Sequence, residues 1–176
     1  SEFLLFTRGI WASTDGLAWA QVERRLPPST HQTRQLRGFP EEGVLVLSGE
    51  AQRENEDRPV GNFVALSEDG GETWGDPIVI ASGFQSGGLT VDERSGDVIA
   101  FVEERHPPAP LRIYRSKDHG KTWKQQETVV GKDSRGNVPS MHMNDHGITL
   151  RHGKFKGRLL RPSRWYAGKN DHSKWP

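Results

Sequence analysis

An eight-residue pattern occurs twice in this 176-residue chain and limits its fold more than any other feature. Ser67-Glu68-Asp69-Gly70-Gly71-Glu72-Thr73-Trp74 and Ser116-Lys117-Asp118-His119-Gly120-Lys121-Thr122-Trp123 both read S-x-D-x-G-x-T-W, starting 49 residues apart. A shorter copy lacking the threonine, Ser13-Thr14-Asp15-Gly16-Leu17-Ala18-Trp19, starts 54 residues before Ser67. The chemistry is that of a tight turn. An Asp side chain accepts hydrogen bonds from backbone N–H groups just downstream, and Gly supplies a positive-φ position. The Trp then folds back as an apolar plug. Strand-like runs precede the two full copies, at Asn62-Phe63-Val64-Ala65-Leu66 and Leu111-Arg112-Ile113-Tyr114-Arg115. Further apolar runs follow, at Pro77-Ile78-Val79-Ile80 and Thr128-Val129-Val130. Each copy is therefore expected to close a hairpin.

A second hairpin lies upstream of each. Thr33 to Leu36 turns at Pro40 to Gly43 into Val44 to Leu47, and Gly88 to Val91 turns at Arg94 to Gly96 into Val98 to Val102. A further one runs from Gly147 to Leu150, turns at His152 to Gly157 and returns as Arg158 to Arg161. Four strands per unit of about 45 to 50 residues is the β-propeller blade. The chain reads as all-β, a single domain over 1–176 with units near 1–28, 29–82, 83–132 and 133–176. Leu, Ile, Val and Phe supply only 38 residues, near the floor for a folded chain, but a net charge of +1 gives no reason for expansion. Near-neutrality also argues against a non-specific nucleic-acid binder. No apolar run reaches the roughly 20 residues of a membrane-spanning helix. Absence of Cys excludes disulfides, thiolate metal sites and Cys nucleophiles. The Phe3-Leu4-Leu5-Phe6 run is too short for the apolar core of a signal peptide.

Repeated S-x-D-x-G-x-T-W motifs on propeller blades resemble the Asp boxes of the sialidase (neuraminidase) superfamily, the BNR-repeat proteins. That resemblance makes Ser67, Asp69, Gly71, Trp74, Ser116, Asp118, Gly120 and Trp123 structural, on the end of the disc away from the family's active site. It also implies six blades in a whole ring. With two full units and parts of two more, an incomplete propeller of about three to four blades is expected. The rest of the propeller, or self-association, is the expected protein partner. The family setting implies an extracellular or periplasmic location.

The loops before first strands and between second and third strands share the opposite end. They carry Arg34, Arg53, Asp57, His142, Asp145, His146, Arg164 and Tyr166. By resemblance Arg34, with Arg37 as rival, takes the place of the first carboxylate-clamping arginine, a task that suits the guanidinium fork. Arg53 falls in register with the family's G-T-L-L-A-F-A-E-G-R stretch. Asp57, with Glu56 as competitor, takes the place of the acid/base. His142, Asp145 and His146 form a cluster expected to touch substrate or move protons, with Arg164 and Tyr166 as sugar contacts. A metal reading of the two histidines is the weaker one, because four-residue spacing aligns ligands on a helix and this stretch precedes a strand. No metal or cofactor is expected. The resemblance implies a glycoside hydrolase for terminal acidic sugars, whose Tyr/Glu nucleophile pair would lie outside these residues. Two alternatives stand beside it: a propeller polysaccharide lyase using His142 or His146, Tyr166 and Arg161 or Arg164, and a non-catalytic glycan-binding propeller.

Overall fold

The computed structural model describes residues 3–6, 10–13, 15–22, 30–39, 42–52, 59–85, 88–105, 109–137, 139–141 and 146–165. They form four antiparallel sheets met in chain order. The first holds β1 (Phe3–Phe6), β2 (Ile10–Ser13) and β3 (Ala20–Val22). The second is a four-stranded meander of β4 (Thr30–Phe39), β5 (Val44–Gln52), β6 (Pro59–Ser67) and β7 (Ile78–Ala81). In the third, β8 (Phe84–Gln85) and β9 (Thr90–Asp92) both pair with β10 (Asp97–Glu103), followed by β11 (Leu111–Ser116) and β12 (Lys124–Gln126). The fourth pairs β13 (Ile148–Thr149) with β14 (Leu159–Leu160). The described residues contain no helix.

Alternation along the strands decides where the core lies. Val44, Val46, Val64 and Ile80 of the second sheet pack with Leu89, Val98, Ala100, Val102 and Tyr114 of the third. The main apolar cluster is thus a seam between two sheet faces. Asn62, fully buried beside it, donates from Nδ2 to the carbonyls of Ala81 (3.3 Å) and Gly83 (2.9 Å) and holds the link into the third sheet. Gly83 (φ 124°) passes so close to β10 that a Cβ would collide with the Glu103 carbonyl oxygen and lie 3.1 Å from Val102 Cγ1.

The repeated motif folds as its chemistry requires. Asp69 accepts from the N–H (2.9 Å) and hydroxyl of Thr73, and Asp118 accepts from the N–H (2.8 Å) and hydroxyl (2.6 Å) of Thr122. In each box the buried serine, Ser67 or Ser116, donates to the aspartate at 2.7 Å and accepts the N–H of Gly71 or Gly120 at 2.8 Å. The degenerate copy keeps the scheme, with Ser13 bonded to Asp15 and the Leu17 and Ala18 N–H groups on the carboxylate. Bonds from Thr73 hold the Asp69 carboxyl far below the ordinary value of 3.8. Burial pushes Asp118 up but is outweighed by Thr122 and Ser116, so it too is lowered. A carboxyl depressed in the fold stabilises it fully above its unfolded value, and that contribution drains away as pH falls below about 4. Ser116→Ala would leave the buried Gly120 N–H without its acceptor and is expected to cost about 1–3 kcal/mol in denaturant unfolding. No measurable loss would mean that the serine does not hold the turn.

Three expectations are revised by the structure. Each full box needs two consecutive left-handed residues, Gly70–Gly71 and His119–Gly120, so a non-glycine at φ 57° occupies one of them. The tryptophans are less buried than plugs would be: Trp74 and Trp123 are half-buried and Trp19 is 37% exposed. Finally, Thr128 to Val130 form no strand, and Val129 is 82% exposed. The outer strand pairs with β11 only from Lys124 to Gln126. Continuing that register would set Val129 opposite Pro110, which has no N–H to donate.

Candidate functional site

Turn contacts sort the two ends of the molecule. The box at Ser116–Trp123 meets the turn between β4 and β5, where the His119 ring lies 4.6 Å from that of Phe39 and His119 Nε2 is 3.7 Å from Glu42. It also abuts the β9–β10 turn at Gly96 and the neighbouring box through Lys121 and Glu68, 3.3 Å apart. First-to-second and third-to-fourth strand turns therefore share one end. The opposite end gathers the start of β9, the end of β10, residues 139–141, His146 and the stretch after β14.

On that opposite end Glu103 is fully buried, and its Oε1 accepts the Met141 N–H at 3.2 Å. Ser140 and Arg164 form a two-bond backbone bridge, with N–H to carbonyl distances of 2.7 and 2.9 Å. Arg161 Nη1 donates to the Gly88 carbonyl (2.8 Å) and Thr90 Oγ1 (2.9 Å), with the guanidinium 4.6 Å above the Phe101 ring. The hydroxyl of Thr90 also accepts the Gly147 N–H at 3.1 Å. This end is a lattice of charged and hydroxyl groups tying the fourth sheet onto the third.

Of the residues singled out from the sequence, Arg34 lies midway along β4, at a bulge. The pairing steps from Thr33↔Gly49 to Gln35↔Ser48, which leaves Arg34 as the extra residue. Bulges redirect a strand locally and recur beside functional sites. Its rival Arg37 sits opposite Val46, two residues from the Asp-box end, and is the poorer candidate for a site at the other end. His146 and Arg164, both half-buried, lie on the end opposite the boxes. Arg53, Glu56, Asp57, His142, Asp145 and Tyr166 lie outside the described residues. No motif in the sequence marks Glu103, although strand alternation puts it in phase with Ile99 and Phe101, the face on which the Arg161 guanidinium lies over Phe101. Among the described residues no group of three or more His, Asp or Glu side chains gathers as a metal site would.

No protein-family profile matches the chain, and no curated protein does. A solved structure does: an alpha-L-arabinanase of Penicillium chrysogenum complexed with arabinobiose, with a TM-score of 0.57 at 16% identity. The match covers 90% of this chain and 48% of the arabinanase chain, so these residues span about half of that protein's length. The fold is a β-propeller. The second and third sheets are four-stranded propeller blades, and β8 with β9 form the interrupted innermost strand of the latter. Between the two segments the β10 register shifts by two residues, from Val102↔Gln85 to Ile99↔Thr90. In the next blade β13 runs beside β9, with the Thr149 hydroxyl donating to the Val91 carbonyl and accepting the Glu93 N–H, both at 3.1 Å. The innermost strands of these two blades thus lie side by side.

Proposed function

We propose that the chain is part of a propeller glycoside hydrolase that acts on terminal acidic sugars of glycans, in the manner of sialidases. The reading is carried by Arg34, the extra residue of a bulge on the innermost strand of its blade. An arginine there can offer a planar fork to a sugar carboxylate near the axis. Three further features support it: boxes of the sialidase type on the other end, His146 and Arg164 on the same side as the axial loops, and a fold shared with an enzyme seen with a disaccharide. Asp57 would serve as acid/base and Arg53 as a second cation, with His142, Asp145 and Tyr166 lining the mouth.

Charged hydrogen bonds from such an arginine are worth roughly 1.5–3 kcal/mol. Arg34→Ala, made in the longest natural form of the protein, is expected to weaken binding of an acidic sugar by about ten- to a hundredfold. Calorimetry with N-acetylneuraminic acid and a hexuronic acid, set against an uncharged hexose, checks it. An unchanged affinity in a folded variant would remove Arg34 from the site and favour a propeller that only presents its surface to glycans.

A further inference from the structure

The turn joining β13 to β14 reads Arg151-His152-Gly153-Lys154-Phe155-Lys156-Gly157-Arg158, four permanent cations and a histidine in eight residues, in a chain whose net charge is only +1. It lies on the Asp-box end, remote from Arg34, and leans on the β9–β10 turn of the preceding blade. Arg151 is neutralised there by Glu93 in a two-pronged contact, with N–O distances of 2.9 and 2.8 Å. Arg94 comes from that same turn, and its Nη1 lies 3.8 Å from where a Cβ on Gly157 would stand. Between the two turns is a cavity of about 620 Å³ lined by Glu93, Arg94, Thr149, Leu150, Arg151 and Lys156. Glu93 is its one acid, already matched by Arg151. The charged ends of Lys154 and Arg158 lie over the ring of Phe155, at 5.7 and 4.0 Å from its centroid, and Phe155 is 48% exposed.

Among the described residues Arg94, Lys154, Lys156 and Arg158 form no ion pair. Three of these like charges share one short turn and the fourth, Arg94, faces them from the turn before, so they repel one another and favour an anionic partner. A surface shaped for solubility alone would intersperse the signs. We infer that this two-blade cleft is an anchoring site for an acidic oligosaccharide chain, separate from the axial site. Arg94 and Lys156 in the cleft, with Lys154 and Arg158 beside it on the same turn, would meet its carboxylate or sulfate groups, while Thr149 and Leu150 would flank a sugar ring. A short acidic glycan fits these observations better than a nucleic acid. The 151–158 turn holds four cations and no acid, whereas the rest of the chain is net negative, with 20 Lys and Arg against 23 Asp and Glu, and would repel a long polyanion.

The test is calorimetry of the intact protein with a heparin-derived hexasaccharide, against uncharged cellohexaose and a short DNA duplex. The hexasaccharide should bind alone or most tightly, with affinity falling about tenfold between roughly 50 and 200 mM salt as counterions are released. Replacing Lys154, Lys156 and Arg158 together by Gln should weaken it at least tenfold and flatten the salt dependence, while Arg34→Ala leaves it unchanged. Should the triple variant melt early, Arg94→Gln on the adjoining blade should still weaken binding several-fold. The inference fails if the hexasaccharide does not bind, if cellohexaose or DNA binds as well, or if Arg34→Ala abolishes binding that the turn variants leave intact. Because the cleft is independent of the axial site, its loss would leave the proposed hydrolase reading standing, and the reverse also holds.

Discussion

Gly83→Ala is expected to destabilise the protein by about 3 kcal/mol or more, the largest single-residue effect foreseen. Two costs act together. The backbone at Gly83 holds φ at 124°, where a side chain is strained whatever space surrounds it. The new methyl would also press into the backbone of Glu103, which is pinned on both sides: β10 pairs with β11 along its length, and Glu103 holds Met141 through its own side chain. Neither partner is the free end of a flexible side chain, so relief requires moving a strand away from the inter-blade core. Denaturant unfolding with an unchanged m-value reads the effect. A loss below about 0.5 kcal/mol would mean that the link between the two blades is slack.

Glu103→Ala is the second large effect, at about 2–4 kcal/mol. The substitution deletes the acceptor of a buried N–H and leaves a void beneath the segment that leads into the next blade. Glu103→Gln separates the two causes, since it keeps both an acceptor oxygen and most of the volume. It should recover most of the loss. If Gln proves as damaging as Ala, negative charge at this position matters more than the bond to Met141, and a role beyond holding the segment would follow.

Much of this architecture was legible in the chain because turn chemistry is local. Ser, Asp, Gly and Thr at fixed offsets satisfy one another within eight residues, so the boxes, the hairpins they close and the four-stranded unit could be read directly. Features set by distant contacts were not. The two-residue β8 exists only because β10 offers it a partner and the innermost strand bulges after it; nothing in Phe84-Gln85 announces that. Val129 looked like a strand residue until Pro110 removed its partner. At the site, alternation could have flagged Glu103, yet a carboxylate at a strand end reads as solvated unless the covering blade is known. Arg34 stands out in the sequence only by its place in a family pattern, and its bulge comes from a register that only pairing with β5 reveals. In the sequence the basic turn at 151–158 reads only as a bend, since its meaning depends on Arg94 arriving from the blade before.

The seam joining Val46 and Val64 to Val98 and Val102 has a consequence for how such proteins arise and come apart. The greasy side of each four-stranded unit is completed by its neighbour, so the smallest piece that can shelter its own apolar surface is a matched pair of faces. Hydrogen exchange should therefore protect β6 and β10 as one block that opens together, although they belong to different repeats. Gene duplication that copied one repeat alone would deliver a sheet with nothing to lean on. Copying from the middle of one blade to the middle of the next would carry a ready-made interior.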